Sequence, residues 1–158
     1  MTVLAWDGKT LAADRLAVCG TLQRTMTKIY RHGDIIFGGA GTRTTLEALR
    51  SWVMGGCDPK EFPTLPRDPE GQTTALWVIN RNGTVVKFED TPYPLTYEDT
   101  VFAEGTGRDF AYGALAMGAN AIQAVEVACK YDIYCGGGVD ALSFEDEHGV
   151  PGLRHRGR

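Results

Sequence analysis

The chain is 158 residues long, 43% hydrophobic and 23% charged, with a formal net charge of −4. That length suits one domain with a real core, and the ordinary composition excludes fibrous and disordered classes. The acidic balance argues against a nucleic-acid or anionic-membrane binder, which needs a concentrated basic surface, and no stretch approaches the ~20 apolar residues of a membrane span.

Val3-Leu4-Ala5-Trp6 and Thr10-Leu11-Ala12-Ala13 are short apolar runs around Asp7-Gly8-Lys9. Asp-Gly supplies the positive φ angles of a tight turn, so the chain is expected to begin in a hairpin. Lys28-Ile29-Tyr30-Arg31 and Ile35-Ile36-Phe37 flank His32-Gly33-Asp34 and predict a second hairpin, ending in Gly38-Gly39-Ala40-Gly41. Leu46, Leu49, Trp52 and Val53 then recur at helical spacing, with Thr42 as N-cap and Gly55-Gly56 as the stop. Pro59, Pro63, Pro66 and Pro69 remove amide donors between Cys57 and Gly71, which predicts an extended connection there.

A third hairpin is expected from Thr74 to Ile79 and Thr84 to Phe88, joined across Arg81-Asn82-Gly83. Val101-Phe102-Ala103 reads as a short strand leading into Glu104-Gly105-Thr106-Gly107. Helices are predicted for Phe110 to Met117, closed by Gly118, and for Ala121 to Tyr131 through Ile122, Val125, Val127 and Ala128. Cys135-Gly136-Gly137-Gly138 breaks the pattern before a strand at Val139 to Phe144. Strands grouped in hairpins indicate an α+β chain with antiparallel sheets and segregated helices, and two sheets between helix layers would fit. Residues 1–158 read as a single domain, with 145–158 a flexible tail made basic by Arg154, His155, Arg156 and Arg158.

Cys19, Cys57, Cys129 and Cys135 form no CxxC pair, and His32, His148 and His155 have no neighbours at zinc-site spacing, so no metal site is expected. Four reduced thiols, and a start lacking the basic and apolar regions of a secretory signal, lead to the expectation of a cytoplasmic protein.

Thr2 follows the initiator methionine. If Met1 is trimmed, an amine and a hydroxyl share one residue. An α-amine with a pKa of ~7.7–8.0 is partly neutral near pH 7 and can accept the hydroxyl proton as Thr Oγ attacks a carbonyl. Met-Thr openings are common, so this needs support. Asp14 ends the second predicted strand and Lys28 opens the next hairpin, so antiparallel pairing would allow both to approach Thr2. A lysine ammonium there favours the neutral amine and a developing alkoxide, and a carboxylate holds the ammonium. Singly, Asp14 is an ordinary turn acid and Lys28 an ordinary surface lysine.

Thr2-Val3, Leu11-Ala12-Ala13-Asp14-Arg15, Lys28-Ile29 and Gly38-Gly39-Ala40-Gly41 resemble proteasome β-subunits and HslV-type peptidases. Glu104-Gly105-Thr106-Gly107, Ala111-Tyr112-Gly113-Ala114-Leu115 and Asp132-Ile133-Tyr134-Cys135-Gly136-Gly137 extend the resemblance to roughly residues 2–144. It implies a four-layer αββα sandwich of the N-terminal-nucleophile hydrolases. It further implies a threonine endopeptidase with Thr2 as nucleophile and base, Asp14 and Lys28 as charged partners, and the Gly39 or Ala40 amide as oxyanion donor. Thr106, Asp132 and Cys135 are implied as polar support for the amine, and Met26, Tyr30 and Phe37 as walls of a pocket preferring apolar side chains. The implied chemistry requires no cofactor and leaves room for a structural cation. Implied partners are further copies in stacked hexameric or heptameric rings, an ATP-dependent unfoldase, and peptide or unfolded-protein substrates.

The sequence departs from the pattern. The family usually has serine at the positions of Thr106 and Cys135 and often threonine at that of Val3, and the Pro-rich stretch replaces helix. A thiol bonds hydrogen more weakly than a hydroxyl, so Cys135 reads equally as packing. Trp52, Val53 and Met54 suit either core or ring contacts. Three other readings remain: a catalytically inactive ring subunit, a small-amide hydrolase of the same nucleophile class, and a phosphate-cradling module at Gly38–Thr42 that lacks GxxxxGK[ST] and GxGxxG.

Overall fold

Each predicted hairpin forms, and its alternating side chains set the layering. The computed structural model describes residues 1–145 apart from 67 and 69. Glu145 is therefore the sole described residue of the expected tail; its carboxylate meets Lys9 Nζ at 3.1 Å. Strands β1 (Val3–Trp6), β2 (Thr10–Asp14), β10 (Phe102–Gly105) and β11 (Val139–Ser143) make one sheet, in the order β10-β1-β2-β11. Strands β5 (Ile29–His32), β6 (Ile35–Ala40), β7 (Ala75–Asn80), β8 (Val85–Phe88) and β9 (Leu95–Thr96) make a second, in sequence order. Every neighbouring pair is antiparallel.

Strand residues alternate between faces, so a strand buried on both sides feeds two cores. In β1, Val3 and Ala5 point to α2 (Arg108–Ala116) and α3 (Ala121–Tyr131), joining Ala111, Ala124, Val125 and Ala128. Leu4 and Trp6 point the other way and meet Ile29, Ile36, Trp77 and Ile79 of the second sheet. The stacked Trp77 and Phe102 rings, 4.0 Å apart, join the two sheets. On the outer face of the second sheet, Phe37, Leu76, Val78 and Phe88 pack on Leu49, Trp52 and Val53 of α1 (Arg43–Met54). Trp52 and Val53 are thus core, while Met54 is exposed.

The helices begin and end for local reasons. Asn120 caps α3 through a capping box with Gln123. Thr42 sits at the N-cap of α1 but makes no side-chain cap; its hydroxyl instead meets Asp68 at 2.9 Å. The Pro-rich stretch is mostly irregular, as expected, apart from a short 3-10 turn at Pro59–Glu61. α2 begins two residues before the predicted Phe110, at Arg108. An additional hairpin, β3 (Leu16–Cys19) and β4 (Leu22–Thr25), stands apart as a two-stranded sheet with mostly exposed side chains.

Candidate active site

Three segments meet at Thr2, and Asp14 holds them together. Asp14 ends β2 fully buried, opposite Val139 of β11. Its Oδ1 accepts from the Val3 amide at 3.0 Å and from Lys28 Nζ at 2.8 Å. Its Oδ2 accepts from the amides of Leu16 at 3.2 Å and Gly136 at 3.1 Å. Four donors satisfy the carboxylate and fix the first strand, the start of β3, the 135–138 loop and Lys28 against one another.

Lys28, just ahead of β5, is itself buried. Beyond Asp14, its ammonium donates to the Met1 carbonyl at 3.3 Å, which places the charge beside the Met1–Thr2 peptide. The Thr2 hydroxyl also donates to that carbonyl. Thr2 is 7% exposed. Its nitrogen donates to Thr106 Oγ at 3.4 Å, and the Thr106 hydroxyl returns a bond to the Thr2 carbonyl at 3.3 Å.

Behind Thr106 the chain of polar groups continues. Thr106 Oγ lies 3.7 Å from Cys135 Sγ, and the thiol donates to Asp132 Oδ2 at 3.3 Å. Cys135 therefore reaches Thr2 through Thr106, and it also packs in the core beneath α3. Burial, reinforced by the Asp14 carboxylate, pushes the Cys135 thiol up to about 12 and keeps it protonated as a donor. For Asp132 burial acts upward, but bonds from the Tyr134 amide and the Cys135 thiol help bring its carboxyl below the usual value.

Gly105 makes this approach possible. Its φ is +97°, and a Cβ there would collide with the Thr2 carbonyl, so a side chain would push β10 away from β1. Gly39 has a similar role in β6, where a Cβ would strike the Ala75 carbonyl and the Leu46 side chain.

In front of Thr2 opens a cavity of about 340 Å³. Met26, Tyr30, Phe37 and Gly39, all proposed from sequence, line it; Ala40 does not, and its side chain packs against the inter-sheet core. α1 adds Arg43, Leu46, Glu47 and Arg50 to the wall; sequence patterning marks Leu46 only as part of the helix's apolar stripe and does not single out the other three. The available signal is a polar stripe, Arg43, Glu47 and Arg50, at helical spacing beside the apolar stripe. β6 runs antiparallel to both its neighbours, so Gly38–Thr42 does not belong to a βαβ phosphate site. Among the described residues no group of three or more His, Cys, Asp and Glu side chains is placed to hold a metal, and no helix is long and apolar enough to cross a membrane.

No protein-family model and no curated protein matches the sequence. Solved structures do match. Eukaryotic HslV from Trypanosoma brucei superposes with a TM-score of 0.62 at 21% identity, covering 90% of this chain and 98% of that one. BPH from Thiobacillus denitrificans gives a TM-score of 0.64 at 18% identity, with 90% and 96% covered. The same BPH in complex with epoxomicin gives 0.63 at 18% identity, with 90% and 97% covered. Identities this low speak for architecture, and on that measure the chain has the fold of HslV and of BPH.

Proposed function

We propose that the chain is a threonine endopeptidase of the proteasome β-subunit and HslV type, a four-layer αββα N-terminal-nucleophile hydrolase active once Met1 is removed. The observation that carries this reading is Thr2 itself, buried between the Asp14–Lys28 pair and the Thr106–Cys135–Asp132 chain at the head of a cavity. A structural threonine has no need of a buried ammonium at its side.

With Met1 gone, the Thr2 nitrogen becomes an amine whose neutral form takes the Oγ proton while Oγ attacks the scissile carbonyl. The Lys28 ammonium disfavours protonation of that amine and stabilises negative charge on Oγ. The Gly39 amide is the donor for the developing oxyanion. The Thr2 α-ammonium so formed then protonates the leaving amine, an ester to Thr2 remains, and water activated by the again neutral α-amine hydrolyses it. No cofactor takes part in these steps.

A second reading is an inactive ring subunit in which Met1 is retained. In the Met1-bearing chain the Thr2 nitrogen is an amide and cannot act as base, and Lys28 and Thr2 Oγ both engage the Met1 carbonyl. The two readings separate on intact mass and turnover. Protein beginning at Thr2 is expected to cleave fluorogenic peptides, and Thr2→Ala to abolish cleavage without changing assembly. Full activity in Thr2→Ala, or in protein still carrying Met1, would remove Thr2 from the mechanism. Turnover of small amides but not peptides would select the small-amide hydrolase of the same nucleophile class.

The same resemblance supports a cytoplasmic homo-oligomer in stacked rings of six or seven, fed with unfolded protein by an ATP-dependent unfoldase. Negative-stain imaging of the purified protein counts the subunits directly.

A further inference from the structure

The cavity in front of Thr2 combines an apolar floor with a basic wall. Tyr30 and Phe37 have ring centroids 5.7 Å apart, and the Tyr30 hydroxyl donates to the Thr27 carbonyl at 2.7 Å, which commits its polar end to the protein. Met26 joins them in the lining. These groups suit a hydrocarbon stem.

Three guanidinium groups, from Arg24, Arg43 and Arg50, also line the cavity, opposed by one carboxylate, Glu47. Arg50 lies 3.9 Å over the Tyr30 ring, and its Nη1 is 3.4 Å from Glu47. The latter is a half-exposed pair of small energetic weight. Arg50 Nε is buried and has no hydrogen-bond partner among the described residues. Neither Arg24 nor Arg43 forms an ion pair among the described residues. The first turn of α1 carries no acidic residue, so the positive end of the helix dipole adds to the charge of Arg43. A chain of net charge −4 thus gathers unanswered positive charge around this apolar recess.

We infer that this subsite takes a glutamate side chain on the residue preceding the scissile bond, its methylenes against Tyr30 and Phe37 and its carboxylate on Arg50 and Arg43. The inference rests on the peptidase reading and names its substrate class. Leucine would cover the floor but leave the guanidinium groups unanswered. Aspartate is a methylene short of them. Lysine and arginine would meet like charge.

The test uses the full-length chain beginning at Thr2 and a set of acetylated peptide-coumarin amides that differ only in the last residue: Glu, Asp, Leu, Phe or Arg. The Glu peptide is expected to exceed the Leu peptide in kcat/KM by at least roughly tenfold, with the ratio falling as salt rises. Arg50→Gln is expected to collapse the Glu-to-Leu ratio and Arg50→Lys to restore much of it, with thermal melts confirming that both variants fold. If Leu or Phe leads, or the ratio survives in Arg50→Gln, the inference is overturned while the peptidase reading stands. If no peptide is cleaved in a Thr2-dependent way, the peptidase reading falls and takes the inference with it.

Discussion

The Asp14–Lys28 pair sits in a setting where charges are expensive to strand: the two side chains are 0% and 6% exposed, and they meet at 2.8 Å. Neutralising one partner leaves the other uncompensated, an effect of about 3–5 kcal/mol. Asp14→Asn is therefore expected to lower unfolding free energy by that amount in urea titrations, beyond any effect on turnover. Lys28→Ala is the catalytic probe, expected to reduce kcat on the order of 10²–10³-fold; an unchanged rate would take Lys28 out of the site.

The thiols give a second residue-scale test. Cys135 and Cys129 are both held up at about 12 from an ordinary 9.0, burial being the first cause in each case. A raised thiol pKa favours folding while the thiol is neutral in both states, below about pH 9. That contribution drains away from pH 9 towards about 12, where the unfolded thiol ionises and the folded one does not. Cys135→Ser is expected to show a smaller fall in urea midpoint across that window than wild type. At neutral pH exposed Cys19 should take up iodoacetamide in the native protein and Cys135 only in denaturant, as read by intact mass.

Among the elements, the turns carried most of the legible information. Asp7-Gly8 and Asn82-Gly83 specify hairpins locally, and Gly8 and Gly83 do adopt positive φ. The α3 helix is legible end to end, since its apolar residues recur at helical spacing from Ala121 to Tyr131 and the helix forms over those residues. The β3–β4 hairpin is not, because its side chains are mostly exposed and no buried face imposes an alternation. β9 is two residues long and leaves no pattern.

Of the site, Thr2 is visible as a position, and Asp14 and Lys28 as ends of strands. Thr106, Asp132 and Cys135 lie over a hundred residues away and are recognisable in sequence only by resemblance, because tertiary folding alone brings them behind Thr2. The β1–β10 pairing that delivers them depends on Gly105. Gly105→Ala, at φ +97° and against the Thr2 main chain, is expected to destabilise by about 2–3 kcal/mol or more. Gly20→Ala is the control: it has φ +62° but open space, and strain alone gives about 1 kcal/mol. Equal losses in the two variants would mean that the close approach to Thr2 is unimportant to the fold.

At the scale of the whole molecule, the apolar surface is unevenly spread. Met117 is 90% exposed and Ile133 81%, with Tyr131, Tyr134 and Phe110 also exposed. The Phe110 and Tyr131 rings stack at 5.9 Å. Together with Ile133 and Tyr134 they line a shallow surface recess that also includes Thr106 and Asp132 and that Thr2 does not line. Apolar patches of this kind mark contact surfaces, and the proposed homo-oligomer offers a further copy of this chain to cover this one. Because the patch shares its loop with Asp132 and Cys135, covering it would also steady the support of the Thr2 amine. Ile133→Asp is therefore expected to reduce both the native mass, measured by light scattering after size exclusion, and the peptidase rate, and raising protein concentration should recover the two together. A variant that keeps the wild-type mass and rate would place the subunit contact elsewhere. One that loses mass but keeps full activity would show that the site is complete within a single chain.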